Sequence, residues 1–268
     1  SGATLQVKES NGNVRPWGDP RAKQVWKKPM AVMVDRYSAS ASEIFAGAIQ
    51  DYQRGIVIGQ KTFGKGTVQR LDNLSSGQIK ITESKFYRIT GAGMQSKGVL
   101  PDVTLPTTWD IEKIGESSYD TALPWDEINP VRYKKFSMQP SLISQLNEEH
   151  LTRVNQSPNL QYILDVRERY ELQKNKEVIS LNLISRKIEK EERQSWALGI
   201  ENKRRASLNL EIFGSYKAME DFNDAKETED DEKEFDIDLE SDYLLNEGTQ
   251  VLSDYTIFNQ NIYLSKAA

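Results

Sequence analysis

The stretch AVMVDRYSASASEIFAGAIQDYQRGIVIG, residues 31–59, decides the fold. Its first five residues, AVMVD, read as a short apolar strand. Residues 40–54 follow as a helix, in which Ile44, Phe45, Ala48, Ile49 and Tyr52 recur at helical spacing and form one expected buried stripe. GIVIG (55–59) is a second apolar run, bounded by glycines and short enough for a buried strand. Strand, helix and strand in such quick succession predict a parallel crossover unit.

Working outward, further strands are expected at TVQRL (67–71) and QIKITESKFYRIT (78–90), where Ile79, Ile81, Lys85, Tyr87 and Ile89 share one side. GVLPDVTLP (98–106) is extended and ends in prolines. After Pro106 the texture changes. Residues 107–130 look irregular, and from Pro140 the pattern is helical. Leu142, Leu146 and Leu151 begin one helix, and Leu160, Ile163, Leu164 and Tyr170 mark another. A longer charged helix is expected over 184–206, with Ile188 and Trp196 on its apolar side. A last amphipathic helix falls at 242–258. The expected class is an α/β part followed by a mainly α-helical C-terminal part, with domains at 1–106 and 107–268.

The chain has 268 residues, 37 % of them hydrophobic, enough for one large domain or two ordinary ones. No run approaches the roughly eighteen apolar residues of a membrane helix. No charged-then-apolar leader opens the chain, and SGATLQVKES reads like the inside of a strand-rich domain, so a fragment of a longer protein is expected. The absence of cysteine excludes thiol catalysis, disulfides and thiolate metal sites, and a single histidine, His150, excludes a multi-histidine metal site. No metal or organic cofactor is implied. The net charge of -5 is uneven. Residues 220–242 carry 13 acidic and 2 basic side chains, net -11, which leaves +6 for the rest. That block reads as a solvated, mobile loop, with an electrostatic contact surface as the alternative. A pI near 5.2 argues against nucleic acid as a partner.

GQKTFGKGT (59–67) matches seven of the eight positions of a phosphate-binding loop. Gly66 stands where that loop needs Ser or Thr, and the β-formers of TVQRL replace the required helix, so the nucleotide reading fails. A lysine between two glycines instead suits an amine aimed into a packed site, since glycines permit unusual backbone angles and close approach. A desolvated lysine gives up its proton easily, and the neutral amine is a general base whose natural client is a serine hydroxyl. The candidate serines lie in SASASEIF (38–45), at a strand-to-helix junction. There an N–H such as that of Ala41 points outward and can stabilise an oxyanion. Ser40 to Glu43 also spell a capping box, S-x-x-E, which reads the same residues as purely structural. A Ser-His-Asp triad would have to recruit His150 from a polar helical segment. Neither a G-x-S-x-G elbow nor a serine followed three places later by lysine occurs. A Ser/Lys pair is the simplest nucleophile and base available.

DRYSASASEIFAGAIQDYQR (35–54) followed by IGQKTFGKGTVQ (58–69) closely resembles the tail-specific, or C-terminal processing, protease family. The likeness runs from Lys28 to Leu105, and 107–268 looks like the helical extension of the longer proteobacterial members. The resemblance implies a ClpP/crotonase-like core, here partial, and Ser/Lys endopeptidase chemistry through an acyl-enzyme. It makes Ser40 the nucleophile and Lys65 the general base, with Gln69 orienting the lysine and Asp51 matching a family acid. Positions 65 and 69 lie about 13 Å apart on an extended strand, so Lys65 must lie back along it or Gly66 must bend it. Asp51 shares Ser40's helix face roughly 16 Å along the axis and reads as a supporting ion pair or helix anchor. Lys61, where many members carry proline, is expected to face solvent. The family's PDZ domain and glycine-rich oxyanion loop are expected upstream of residue 1. The resemblance further implies protein substrates with apolar C-terminal tails, a periplasmic address, and adaptor binding or self-association through the helical part. A non-catalytic docking module of such a protease is the alternative.

Overall fold

The structure, a computed structural model, describes residues 2–19, 24–176, 178–232 and 242–267. It opens with a hairpin of β1 (Leu5–Glu9) and β2 (Val14–Trp17). The expected crossover follows as β3 (Ala31–Val34), α1 (Ala41–Asp51) and β4 (Ile56–Gly59). β3 and β4 pair in parallel with Val32 opposite Val57, and β7 (Val103–Thr104) joins the far side of β4, also in parallel. β4 is the central strand of three and is covered on both faces, so Ile56, Val57 and Ile58 are all fully buried.

β5 (Thr67–Asn73) and β6 (Gln78–Tyr87) complete an antiparallel sheet of order β2-β1-β6-β5. Only the inner end of this ribbon reaches the core, at Phe86 and Tyr87. Ile79 and Ile81 are exposed, so the one-sided apolar row expected over 79–89 does not form. The core joins Val34 and Val57 of the parallel sheet, Ala46 of α1, Phe86 of β6, and Met94 and Val99 beyond it.

Helix α1 buries the expected apolar stripe only in part, with Ala48 buried and Ile44 packed against the core, and it also buries residues that the apolar spacing does not mark. Glu43, Ala46, Gly47, Ala48 and Asp51 are buried, while Phe45 is 54 % exposed. Two carboxylates can occupy a buried face because each is fully partnered, which offsets the cost of removing a charge from water.

By packing, the described chain divides into two units. The first comprises residues up to Leu105, Asp110–His150, and those from Glu247 onward. Residues 114–136 form a strap without long regular structure, as their texture suggests. Several of its backbone groups are nonetheless paired with the α/β part. Ile128 donates to Gly91 O at 2.9 Å, Val131 to Ile89 O at 3.0 Å, and Phe136 to Tyr52 O at 2.8 Å, while Gly93 donates to Asp126 O at 3.1 Å. Helix α2 (Pro140–Gln156) buries Leu142, Leu146 and His150 at helical spacing.

The second unit comprises Pro106–Trp109 and Leu151–Asn246. It holds α3 (Pro158–Gln173), α4 (Leu183–Ser207) and α5 (Tyr216–Glu232). Ser157 caps α3 ahead of Pro158, and Asn182 caps α4 through the amides of Ile184 and Ser185. Val154, Leu160 and Ile163 form its core, with Tyr243 and Leu244 packed against them. Those two residues begin α6 (Tyr243–Ala267). Ile188, expected on the apolar side of α4, is half exposed.

The acidic stretch 220–242 begins inside α5 rather than in a loop. Ser215 accepts from the Ala218 amide, Met219 is buried, and Phe222 packs on Phe213 with ring centroids 5.3 Å apart, so a helical face exists despite the charge. Residues 233–241 of that stretch lie outside the described residues. The α/β part followed by a helical C-terminal part is the architecture found. Among the described residues no helix is long and apolar enough to cross a membrane.

Candidate active site

The turn after β3 is wound tightly by Asp35. Its Oδ1 accepts from the Tyr37 amide at 3.0 Å, the Ser38 amide at 2.8 Å and the Ser38 hydroxyl at 3.0 Å. The turn ends at Ser40, whose backbone has φ 59 and ψ -112. This lies outside the left-handed helical well that non-glycine residues occasionally occupy, and such geometry persists only where its surroundings enforce it. Helix α1 starts at the next residue, Ala41, whose N–H has no hydrogen-bond acceptor among the described residues. A half-buried serine on a strained strand-to-helix corner thus stands beside an unused backbone donor.

The enforcing group is Glu43. Its side chain is fully buried, and both oxygens are saturated. Oε1 accepts from the Thr62 hydroxyl at 2.5 Å and the Gly64 amide at 2.7 Å. Oε2 accepts from the Ser40 amide at 2.8 Å and the Lys65 amide at 2.9 Å. Because the last two bonds end on one oxygen, the Ser40 and Lys65 backbone nitrogens lie no more than about 6 Å apart. The capping-box carboxylate therefore caps its own helix and also ties the lysine loop to the serine turn. Burial pushes the Glu43 carboxyl above the usual carboxylate range, against the opposing pull of the bonds from Thr62, Gly64, Ser40 and Lys65.

The lysine loop is held from its other side as well. Gly64 O accepts from the Ser96 amide at 2.8 Å, Gly66 N donates to Gln95 Oε1 at 2.9 Å, and Gly66 O accepts from the Phe86 amide at 2.9 Å. Gly66 lies so close to Gln95 that a Cβ there would collide with the Gln95 backbone nitrogen. Gly64 has φ 89 and lies against Ser96 in the same way. The two glycines serve close approach, as the sequence suggests, and Lys65 between them is half-buried.

The other expected site residues are placed as follows. Gln69 is exposed on β5, just after an irregularity in the pairing with β6, and its amide donates to Thr82 Oγ1 at 3.4 Å. Lys65 and Gln69 share no hydrogen bond. Asp51 makes a bidentate pair with Arg88, with contacts of 3.1, 3.0 and 2.5 Å. This joins the end of α1 to the turn after β6. Lys61 is half-buried rather than solvent-facing, and burial, reinforced by Arg36 and Lys97, holds its amine below the usual lysine range. His150 is committed elsewhere: Nδ1 lies 2.8 Å from Glu247 Oε1 and Nε2 3.1 Å from Thr104 O.

Against known proteins, residues 1–105 match the family described as Peptidase family S41, and residues 109–256 match the C-terminal domain of tail specific protease. The chain belongs to the tail-specific protease family. The tail-specific protease of Haemophilus influenzae is 34 % identical over 278 residues, which cover 99 % of this chain and 38 % of that protein. A probable CtpA-like serine protease of Staphylococcus epidermidis is 44 % identical over 86 residues, 32 % of this chain and 18 % of that protein. A solved photosystem II D1 C-terminal processing protease is 33 % identical, overlapping 39 % of this chain and 27 % of that one with a TM-score of 0.32. The chain thus spans well under half the length of these relatives.

Proposed function

We propose that this chain carries the reacting groups of a serine endopeptidase, with Ser40 as nucleophile and Lys65 as general base. The observation that supports this most directly is the single Glu43 oxygen that holds the backbone amides of both residues. In this reading the neutral Lys65 amine takes the Ser40 hydroxyl proton as the serine oxygen attacks the scissile carbonyl carbon. The Ala41 N–H receives the developing oxyanion. Collapse breaks the C–N bond, the Lys65 ammonium returns its proton to the departing amine, and an ester to Ser40 remains. Water, deprotonated by the same amine, attacks that ester and releases the carboxylic acid and Ser40.

Gln69 would orient the Lys65 amine, which requires its amide to leave Thr82. Asp51 acts as an anchor through Arg88 rather than as a reacting group. Residues 1–106 form the C-terminal part of the catalytic domain, and 107–268 form its helical extension. The substrates are polypeptides with apolar C-terminal tails, in the periplasm, and the helical extension docks an adaptor or a second subunit.

A serine-directed fluorophosphonate tests the dyad. Labelling that disappears in both Ser40→Ala and Lys65→Ala is expected. Absence of labelling at every pH favours the non-catalytic docking reading.

A further inference from the structure

We propose that the turn Ile114–Ser117 is a positioning element for Lys65, acting through a relay from Glu116 to Gln95 to Gly66. The proposal rests on the reading of Lys65 as the base. The turn lies beyond the 1–105 peptidase match, inside the stretch matched by the tail-specific protease C-terminal domain. The support of the lysine loop is therefore completed by residues that the peptidase match does not cover.

Gln95 is almost completely buried, and its amide has two distinct ends. Oε1 accepts the Gly66 amide at 2.9 Å, and Nε2 donates to Glu116 Oε1 at 3.0 Å. A carboxylate can only accept. Glu116 therefore dictates which way the Gln95 amide faces. A reversed amide would set an NH2 against the Gly66 N–H and an oxygen against the Glu116 carboxylate. With the amide oriented, the only buried donor of Gly66 is satisfied next to Lys65.

Glu116 is itself fixed to both halves of the site. Its backbone amide donates to Phe63 O at 2.9 Å, two residues before Lys65. The preceding Gly115 has φ 108, and a Cβ there would collide with the Arg36 guanidinium. Arg36 is buried four residues before Ser40. Its Nε donates to Ile114 O at 2.6 Å, Nη2 to Ser117 Oγ at 3.5 Å, and Nη1 to Thr62 O. The turn thus grips the serine corner through Arg36 and the lysine loop through Phe63 and Gln95. Tyr119 continues the contact against Phe63, with ring centroids 6.4 Å apart.

The test compares Glu116→Ala, Gln95→Glu, and the double exchange Gln95→Glu with Glu116→Gln, in which acceptor and donor trade places. Three quantities are followed: the pH profile of Ser40 labelling by fluorophosphonate, amide hydrogen exchange in the segment 60–67, and the thermal midpoint. Glu116→Ala is expected to slow labelling about 10-fold, to displace the pH midpoint, and to speed exchange at Lys65 and Gly66. The double exchange is expected to recover labelling to within about 3-fold of the parent, while Gln95→Glu alone does not. Unchanged labelling, pH midpoint and exchange in a folded Glu116→Ala protein overturn the proposal, as does failure of the double exchange to recover. Should Glu116→Ala not fold, Gln95→Glu with and without its partner exchange gives the same decision. Labelling of the parent that survives Ser40→Ala or Lys65→Ala overturns the dyad, whereas normal exchange at Gly66 in the relay variants overturns the relay alone.

Discussion

Glu43 Oε2 lies 2.8 Å from the Ser40 amide and 2.9 Å from the Lys65 amide, so one buried atom sets the spacing of two loops 25 positions apart in the chain. Four donors converge on this carboxylate: the Thr62 hydroxyl and the amides of Ser40, Gly64 and Lys65. An amide in its place keeps one acceptor oxygen and turns an NH2 toward two N–H groups. Glu43→Gln is expected to cost about 2–4 kcal/mol of unfolding free energy and to suppress Ser40 labelling. Urea unfolding with parallel fluorophosphonate labelling checks this, and parent-like stability in the variant would refute it.

The same carboxylate gives a pH dependence. Burial raises the Glu43 carboxyl above its ordinary value, so the folded chain binds this proton more firmly than the unfolded chain does. Its contribution to stability is fully present below the unfolded value near about 4.3 and is lost as pH rises through the raised folded value. The stability difference between parent and Glu43→Gln should therefore narrow as pH rises across that window and then level off. Urea midpoints of both proteins between about pH 4 and 7 read this directly, and a widening difference contradicts it.

Asp51 and Arg88 test the anchor reading. Their side chains are only 5 % and 16 % exposed, and the pair is bidentate. Asp51→Ala leaves the guanidinium buried without its partner and should cost about 3–5 kcal/mol. At a temperature where the variant remains folded, Ser40 labelling should stay within a few-fold of the parent. A complete loss of labelling in the folded variant would instead place Asp51 among the reacting groups.

Gly98 offers a steric probe of the cradle. It has φ 63, and a Cβ there would lie 2.5 Å from Thr62 Oγ1 and 3.0 Å from Glu43 Oε1. Gly98→Ala is expected to lower stability by about 1–3 kcal/mol and to slow labelling, because the methyl displaces the Thr62–Glu43 bond. Thermal unfolding and labelling rates measure both effects.

His150 provides the contrasting control. Its ring bridges Glu247 and the Thr104 carbonyl deep in the first unit. His150→Phe leaves Glu247 buried without that contact and should destabilise by about 2–4 kcal/mol. Labelling of Ser40 in the folded variant should persist; its loss would revive a histidine-dependent mechanism.

Much of the frame is legible in the sequence. β3, α1 and β4 announce themselves through apolar runs and helical spacing, and the helices from Pro140 onward follow their leucines. The buried face of α1 is legible only in part, because apolar periodicity finds Ala48 and Ile44 but also selects the exposed Phe45 and overlooks Glu43 and Asp51. Those two are buried only because of partners 19 to 37 residues away, which local pattern does not reveal. Helix α5 is hidden by its charge, its packing resting chiefly on Met219 and Phe222. At the candidate site, the S-x-x-E spacing names Glu43 but only as a helix cap. Its second role depends on the loop at 62–65 returning to meet it. Gln95 and Glu116 carry no local signal at all, since each gains meaning only from the other and from Gly66.

The interleaving of the two packed units bears on how this polypeptide can be divided. Residues 110–150 and those from Glu247 onward pack with the strands that precede Leu105, although they are encoded after the proline-rich stretch that looks like a boundary. Expression of residues 1–105 alone should therefore leave the first unit incomplete, and co-expression with residues 106–268 should restore it. Gene fusions and truncations at that position would remove support from the very loops that carry Ser40 and Lys65.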